Sequence, residues 1–540
     1  MEIQNNNNIL SLPPQGMPIL KGLGETFYEK MLEHKDAVAH TDALTGETET
    51  FSVVLQKAIR AATVMRSKGI KPNDIISICS HNSFDCLTSF YASLFVGAVP
   101  ANLQPLLPLA DIVYFLTLVR PKMIFVIPEA VTLIEDAIKK AELETKVVVF
   151  GQTTKYLQFS DFLIQSPEEK EFSPYEVKNL KDTAVIIFSS GTTGLPKGVC
   201  LSHLALLGHM YQAGNAITIR FTIFFFSNLY WIGAIAYTLL SVIYGLNRLI
   251  YPKFDEGTLV WNLIKKYKVN VLVLNPHQIL DICKNGRPSD ANTSSLLLIT
   301  LTGASVTLEQ IKYFQSRFPD TTIVNMYGLT ELCGQTLVFR PDLNPKDKQF
   351  FMKKPLSIGK PMPSYSYKIV DLKTNETLGP NQEGELLIKS EYGMSGYYNV
   401  DSSYVWNADG FMRTGDIAYY DEDYCFFFVD RVKGLLKYQG WHISPVAIEM
   451  IFYKHPSVET CVVTSKTHPV DGDLLYGLVV LKEWAIGKVT EDELRNFVND
   501  HVGEQKKLRG GIKIVKEIPV AVTDKLSRRK IKQLVDRGQI

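Results

Sequence analysis

Short apolar runs recur along the first 330 residues, separated by stretches whose apolar positions follow helical spacing. The runs are DIISICS at 74–80, KMIFVI at 122–127, KVVVF at 146–150, AVIIF at 184–188, NVLVLN at 270–275, LLLITLTG at 296–303 and TTIVNMYG at 321–328. Runs this short suit strands buried on both faces, and their alternation with helices predicts α/β layers built on mainly parallel sheets. From 366 to about 430 the pattern changes to strands and turns, which predicts a smaller β-rich subdomain. After Arg431 come KGLLKYQGWHISPVAIEMIFYKHPSV, CVVTS, LYGLVVL and the helix-like TEDELRNFVNDHV, the pattern of a compact α+β unit. The opening MEIQNNNNILSLPPQG has an Asn run and no apolar core segment, so residues 1–20 read as a flexible or loosely docked tail and as neither a secretory signal nor a basic presequence.

The segment from Phe221 to Asn247 carries no charge between Arg220 and Arg248 and is long enough to cross a bilayer. Ser227-Asn228 interrupts it. The part before is aromatic and β-like, and the part after Trp231 has Ala, Leu and Ile at helical spacing. A buried strand followed by a buried helix is the preferred reading, with membrane contact permitted but not required.

A chain of 540 residues exceeds one ordinary core, so at least two domains are expected. Its net charge of +1 argues against nucleic-acid binding. Seven cysteines, Cys79, Cys86, Cys200, Cys283, Cys333, Cys425 and Cys461, lie scattered without CxxC spacing, which suggests a reducing compartment and no structural zinc. The expected location is cytoplasmic; a peroxisomal one stays open, although the chain ends in Arg-Gly-Gln-Ile and not Ser-Lys-Leu.

The strongest chemical signal is AVIIFSSGTTGLPKGVCLSH at 184–203, which reads as strand, loop, strand. Ser189, Ser190, Thr192, Thr193 and Lys197 supply donors, while Gly191, Gly194 and Gly198 free the backbone, a combination suited to a polyphosphate. Lys197 follows Pro196 and precedes Gly198, so this is not a Walker A loop, and a P-loop NTPase is disfavoured.

This loop resembles the phosphate-binding signature of the adenylate-forming superfamily, which holds acyl-CoA synthetases, 4-coumarate-CoA-ligase-like enzymes, insect luciferases and peptide-synthetase adenylation domains. Four further stretches match in the family's order: MYGLTE at 326–331, GELLIKSEYGMSGYYN at 384–399, DGFMRTGDIAYYDEDYCFFFVDRVKGLLKYQGWHISP at 409–445 and TDKLSRRKI at 523–531. The resemblance implies a large multi-subdomain N-terminal domain of layered sheets and helices over 21–431, and a small mobile α+β domain over 434–540. The hinge is expected near Lys433.

It also implies ATP, Mg²⁺ and CoA as reactants and cofactor. An acid joins a thiol only uphill in water, so ATP first turns the acid into an acyl adenylate. Besides the loop residues Ser189, Ser190, Gly191, Thr192, Thr193, Gly194 and Lys197, the implied ATP site takes in Gly303, Ala304, Tyr327, Gly328, Asp416 and Arg431. Tyr327 would present its ring to adenine and Asp416 its carboxylate to the ribose hydroxyls; Arg431 would touch ribose or phosphate, or form a local salt bridge. Thr330 would face the α-phosphate, and Glu331 is a hard oxygen ligand for Mg²⁺. Lys525 would bridge carboxylate and α-phosphate as they approach. A rotated small domain would then bring Lys437 and Gly440 to the site for thioester formation, with Lys506, Lys507 and Arg509 as candidates for the CoA phosphates. Trp231 would close a hydrophobic acyl tunnel.

Three departures from the pattern stand out. Ala447 replaces an expected glutamate, Thr302-Gly303-Ala304-Ser305 replaces the more usual Gly-Gly-Ala-Pro, and the stretch from His203 to Trp231 looks short. Amino-acid activation is disfavoured because the helix after Trp231 has no acid for a substrate ammonium. The expected activity is therefore activation of a medium- or long-chain fatty acid and its transfer to CoA. The alternatives are an aromatic acid CoA ligase, a luciferase-like oxygenase, disfavoured by Trp231 and Gly334, and a silent nucleotide- or acyl-binding relative.

Overall fold

The computed structural model describes residues 2–189, 196–214, 217, 220–339, 345–438, 441–469, 471–518 and 528–540. The chain divides into two compact units. The first comprises Met1–Val306, Ile311–Tyr367 and Ile388–Met412; the second comprises Thr307–Gln310, Lys368–Leu387 and Arg413–Ile540.

The first unit is layered α/β. One sheet runs, in spatial order, through Thr322–Asn325, Leu298–Leu301, Val271–Leu274, Thr222–Phe225, Asn247–Ile250 and Val38–Asp42, all parallel, and ends on the antiparallel Thr48–Thr50. A second, parallel sheet orders Val99–Pro100, Ile75–Cys79, Met123–Val126, Lys146–Val149 and Leu157–Gln158. Phe224, Leu249, Leu272 and Ile299 are buried at the centre of the first sheet, as strands covered on both faces require. The strands expected at 74–80, 122–127, 146–150, 184–188, 270–275, 296–303 and 321–328 all form.

The uncharged stretch resolves into the strand Thr222–Phe225 and the helix Ile232–Tyr244, with Gly245 at φ 65° ending the helix. Among the described residues no helix is long and apolar enough to cross a membrane. Arg248, which bounds that stretch, is buried too. Its guanidinium donates to Thr238 Oγ1 at 2.9 Å and Asn82 Oδ1 at 2.8 Å, and lies 4.2 Å from the centre of the Phe225 ring. Burial lowers its pKa to about 10.

Residues read as a tail form a hairpin, Gln4–Asn6 against Ile9–Ser11. Asn7 and Asn8 both adopt positive φ, 52° and 63°, the turn conformation asparagine tolerates best after glycine, and Leu10 is fully buried.

The strands Ser366–Val370, Gly384–Lys389, Met412–Tyr420 and Phe426–Arg431 lie side by side, and the second unit takes in Lys368–Leu387 and the chain from Arg413 onward. Further along the chain, Trp441–Ile443, Leu436–Tyr438, Gly472–Leu481 and Val458–His468 form a sheet in that order, with Gly511–Ile514 parallel to Gly472–Leu481. The helix Pro445–Phe452 is capped by Ser444, whose Oγ accepts the Ala447 N–H, and buries Ile448 and Phe452 with Val463, Val479, Leu494 and Val498.

Candidate active site

In the first unit, the sheet order brings three of the singled-out stretches to one edge. Gly303 and Ala304, both exposed, follow the strand Leu298–Leu301; Tyr327 follows Thr322–Asn325; and Trp231 lies beyond Thr222–Phe225. These are carboxyl ends of neighbouring parallel strands, where open α/β sheets bind their ligands. Tyr327 opens a tight hairpin, Tyr327–Leu329 against Gly334–Val338. A Cβ on Gly328 would lie 2.2 Å from the Gly334 carbonyl oxygen, so this close approach demands glycine.

Ser189 ends the strand Thr183–Ser189 and Lys197 begins its antiparallel partner Lys197–Ser202, so the two ends of the loop emerge side by side. Ser190, Gly191, Thr192, Thr193 and Gly194 lie outside the described residues. Ser189 Oγ donates to Glu331 Oε1 at 3.3 Å, and the Tyr397 hydroxyl donates to the same oxygen at 3.2 Å. Glu331 sits in the short turn Thr330–Leu332 with Thr330, and its backbone carbonyl accepts the Met394 N–H at 2.7 Å. Lys197 Nζ bonds the Tyr404 hydroxyl and lies over two rings, 4.6 Å from that of Tyr397 and 4.9 Å from that of Tyr404. Burial, then the Glu331 carboxylate beside it, pushes the Tyr397 phenol well above its ordinary range.

Trp231 stands at the N-terminus of the helix Ile232–Tyr244 with 37% of its surface exposed, edge-on to Tyr230 at 5.2 Å. It is thus no core tryptophan. The helix behind it packs toward the hairpin: a Cβ on Gly334 would lie 3.8 Å from Ile232 and Ala236, and the Tyr237 hydroxyl contacts Met326 Sδ at 3.7 Å.

In the second unit Asp416 and Arg431 are cross-strand partners, and Arg431 Nε meets Asp416 Oδ1 at 3.0 Å. The backbone of Lys433 forms the turn Val432–Gly434, and that of Lys437 lies in Leu436–Tyr438; both side chains, together with Gly440 and Lys525, fall outside the described set. Lys507 and Arg509 both pair with Glu504, at 2.7 and 2.6 Å.

Glu331 fits a Mg²⁺ ion in charge and hardness, and both of its hydroxyl donors sit on Oε1. Among the described residues no group of three or more His, Cys, Asp or Glu side chains converges as a metal cage. An ion at Glu331 would therefore rely on phosphate oxygens and water, the usual habit of Mg²⁺.

The sequence reading missed three residues. Tyr397 and Tyr404, the first of them inside a quoted match, surround Lys197 and Glu331. Glu449, two positions beyond Ala447, is a buried carboxylate bonded to Arg528, signalled by its being the one acid in an apolar helix.

Comparison with known proteins places the chain in the adenylate-forming superfamily. The chain belongs to the AMP-binding enzyme family, which it matches over residues 27–398, with an AMP-binding enzyme C-terminal domain over 447–525. It is 30% identical to luciferin 4-monooxygenase of Photinus pyralis over 99% of both chains. It is also 30% identical to probable 4-coumarate--CoA ligase 2 of Dictyostelium discoideum over 92% of both. Among solved structures, the luciferase-like enzyme from the nonluminescent mealworm Zophobas morio superposes with a TM-score of 0.74 at 32% identity, covering 80% of this chain and 99% of that one. ATP-bound MatB from Rhodopseudomonas palustris superposes with a TM-score of 0.84 over 96% of this chain and 100% of that one; at 18% identity it shows the fold alone.

Proposed function

We propose that the chain is an ATP-dependent acid–thiol ligase that activates a medium- or long-chain fatty acid and passes it to CoA. In the first half-reaction a carboxylate oxygen attacks the α-phosphorus of ATP and pyrophosphate leaves. In the second the CoA thiol, losing its proton, attacks the acyl carbon and AMP leaves. The observation that carries the reading is the cluster of Ser189, Lys197, Glu331 and Tyr397 at the two ends of the loop, where an ammonium, a carboxylate and hydroxyls meet. Lys197 would bind phosphate, Thr330 the α-phosphate, and Asp416 the ribose. Mg²⁺ bound at Glu331 would neutralise phosphate charge. Lys525 would balance the charge that builds as carboxylate meets phosphorus. The fatty acid reading is supported by Trp231, part-exposed ahead of a helix without a single charge.

Carboxylate-dependent ATP–pyrophosphate exchange tests this, across C6 to C20 fatty acids, cinnamates, amino acids and beetle luciferin. Fatty acids are expected to support exchange, and Lys525→Ala to lower it by about 100-fold or more. Exchange confined to cinnamates would make the protein an aromatic acid ligase, and exchange with no acid would refute adenylation. End-to-end similarity to luciferin 4-monooxygenases favours a second reading, oxygenation of an adenylate. Light emitted with beetle luciferin, ATP and oxygen would select it.

A further inference from the structure

We propose that Asn228 is a positioning residue for the choice of acid: bonded to Ser80 and Gln104, it fixes the loop that carries Trp231 and so holds the indole in one place. The inference rests on the reading of Trp231 as the closing residue of the acyl pocket given above.

The segment from Phe226 to Trp231 joins the strand Thr222–Phe225 to the helix Ile232–Tyr244. Connections of this kind ordinarily run over the surface and move. Here Phe226, Asn228, Leu229 and Tyr230 are all buried, and Ser227 and Trp231 are exposed. Buried backbone carbonyls must find donors, and side-chain amides supply them. Asn82 Nδ2 donates to the Phe226 carbonyl at 2.9 Å, and Asn102 Nδ2 to the Leu229 carbonyl at 3.1 Å. Asn228 reaches back the other way. Its Nδ2 donates to the Ser80 carbonyl at 3.0 Å and to Gln104 Oε1 at 2.6 Å, while its Oδ1 accepts the Tyr230 N–H at 3.3 Å. Its own carbonyl accepts the Trp231 N–H at 3.0 Å.

Ser80 and Asn82 follow the strand Ile75–Cys79, and Asn102 and Gln104 follow Val99–Pro100. The carboxyl ends of strands in the second sheet thus grip a loop at the carboxyl end of a strand in the first. Tyr230 adds an apolar anchor, its ring 6.4 Å from that of buried Phe115, and Trp231 stands edge-on against it. Asn82 has other duties, since its Oδ1 also accepts from Arg248. Asn228 bonds the Trp231 backbone on one side and the second sheet on the other, so a change there reaches the indole directly. A buried polar network with its partners in place specifies one arrangement. Pocket walls select acids by fit, one methylene being worth about 10- to 200-fold, so a wall free to shift selects less sharply than a fixed one.

The test uses the full chain and measures kcat/KM for pyrophosphate exchange across straight-chain acids from C6 to C20. In Asn228→Ala and in Gln104→Leu, which removes the acceptor at similar size, the ratio between best and worst acid should narrow by about 5- to 30-fold through KM for the acid, with KM for ATP nearly unchanged. Gln104→Glu keeps the acceptor and should hold that ratio within about twofold of wild type. Because Asn228 acts through Trp231, adding Asn228→Ala to Trp231→Ala should move the ratio by no more than about twofold. Gln104→Leu serves if Asn228→Ala folds poorly, with thermal unfolding recorded for each. A uniform loss over all acids, or additive effects in the double variant, would mean a merely structural role and overturn the proposal. So would a wild-type preference in Asn228→Ala and Gln104→Leu beside an altered one in Trp231→Ala. If wild type activates none of these acids, or Trp231→Ala keeps the wild-type preference, the reading of the acyl pocket fails first and the positioning role falls with it.

Discussion

His203 and His209 should make the first unit lose stability on mild acidification. Both lie on the helix His203–Gly214, and both are buried. His203 Nδ1 accepts the Leu23 N–H at 3.0 Å, a bond that a proton on Nδ1 would abolish; His209 Nδ1 lies 2.7 Å from the Tyr365 hydroxyl. Burial pushes each imidazole down to about 4, against the opposing pull of the Asp182 carboxylate at His203. An unfolded histidine titrates near 6.5, so as pH falls from 6.5 toward 4 the unfolded chain takes up protons that the folded chain refuses. Stability is present above that window, is lost through it and levels off below it. Integrating from pH 7 to pH 5 gives about 2 kcal/mol per histidine, about 4 kcal/mol for the two. Urea unfolding of wild type and of the His203→Gln, His209→Gln double variant at both pH values isolates this from carboxylate effects common to both proteins. The double variant should be less acid-sensitive than wild type by that amount, and histidine NMR should find the rings of His203 and His209 titrating far below 6.5. Equal pH dependence in the two proteins, or ring pKa values near 6.5, would refute the reasoning.

Two further outcomes follow from the site. Glu331→Gln keeps an acceptor for the Ser189 and Tyr397 hydroxyls but removes the charge, so pyrophosphate exchange should fall about 100-fold and need more Mg²⁺ for half-maximal rate; an unchanged Mg²⁺ requirement would remove Glu331 from the metal site. Trp231→Ala opens the N-terminus of an uncharged helix, so the acid preference should move toward bulkier or longer chains through KM more than kcat; the same preference in both proteins would deny Trp231 a gating role.

The sheets were legible because buried parallel strands leave short, nearly unbroken apolar runs, and such runs do not depend on which neighbour each strand acquires. The N-terminal hairpin was not, because its only signals are two asparagines able to take positive φ and one buried Leu10, against a background of polar residues. The burial of Arg248 was not legible either, for a different reason. An arginine ordinarily marks where an apolar segment reaches water, but here two neutral oxygens and a phenyl face replace the water, and those partners come from positions 82, 238 and 225. Nothing local to residue 248 carries that information.

The same limit separates the parts of the site. Loop chemistry is local, so the donors flanking 190–195 could be found by composition and spacing alone. What holds them is not local: Tyr397 reaches Ser189's partner Glu331 through the pairing of Gly396–Tyr397 with Lys197–Ser202, nearly 200 positions away in sequence. That pairing gives Tyr397 two faces of work at once, its hydroxyl bonded to Glu331 and its ring beneath the Lys197 ammonium. A ring face attracts an ammonium without neutralising it, and a hydroxyl steadies a carboxylate without protonating it. Tyr397 can therefore order both charged groups and leave each its charge, as a site must if the lysine is to meet phosphate and the glutamate a cation. Replacing it by an apolar residue would spare both charges yet remove what orients them, which is why a sequence reading that ranks residues by their own reactivity passes over it.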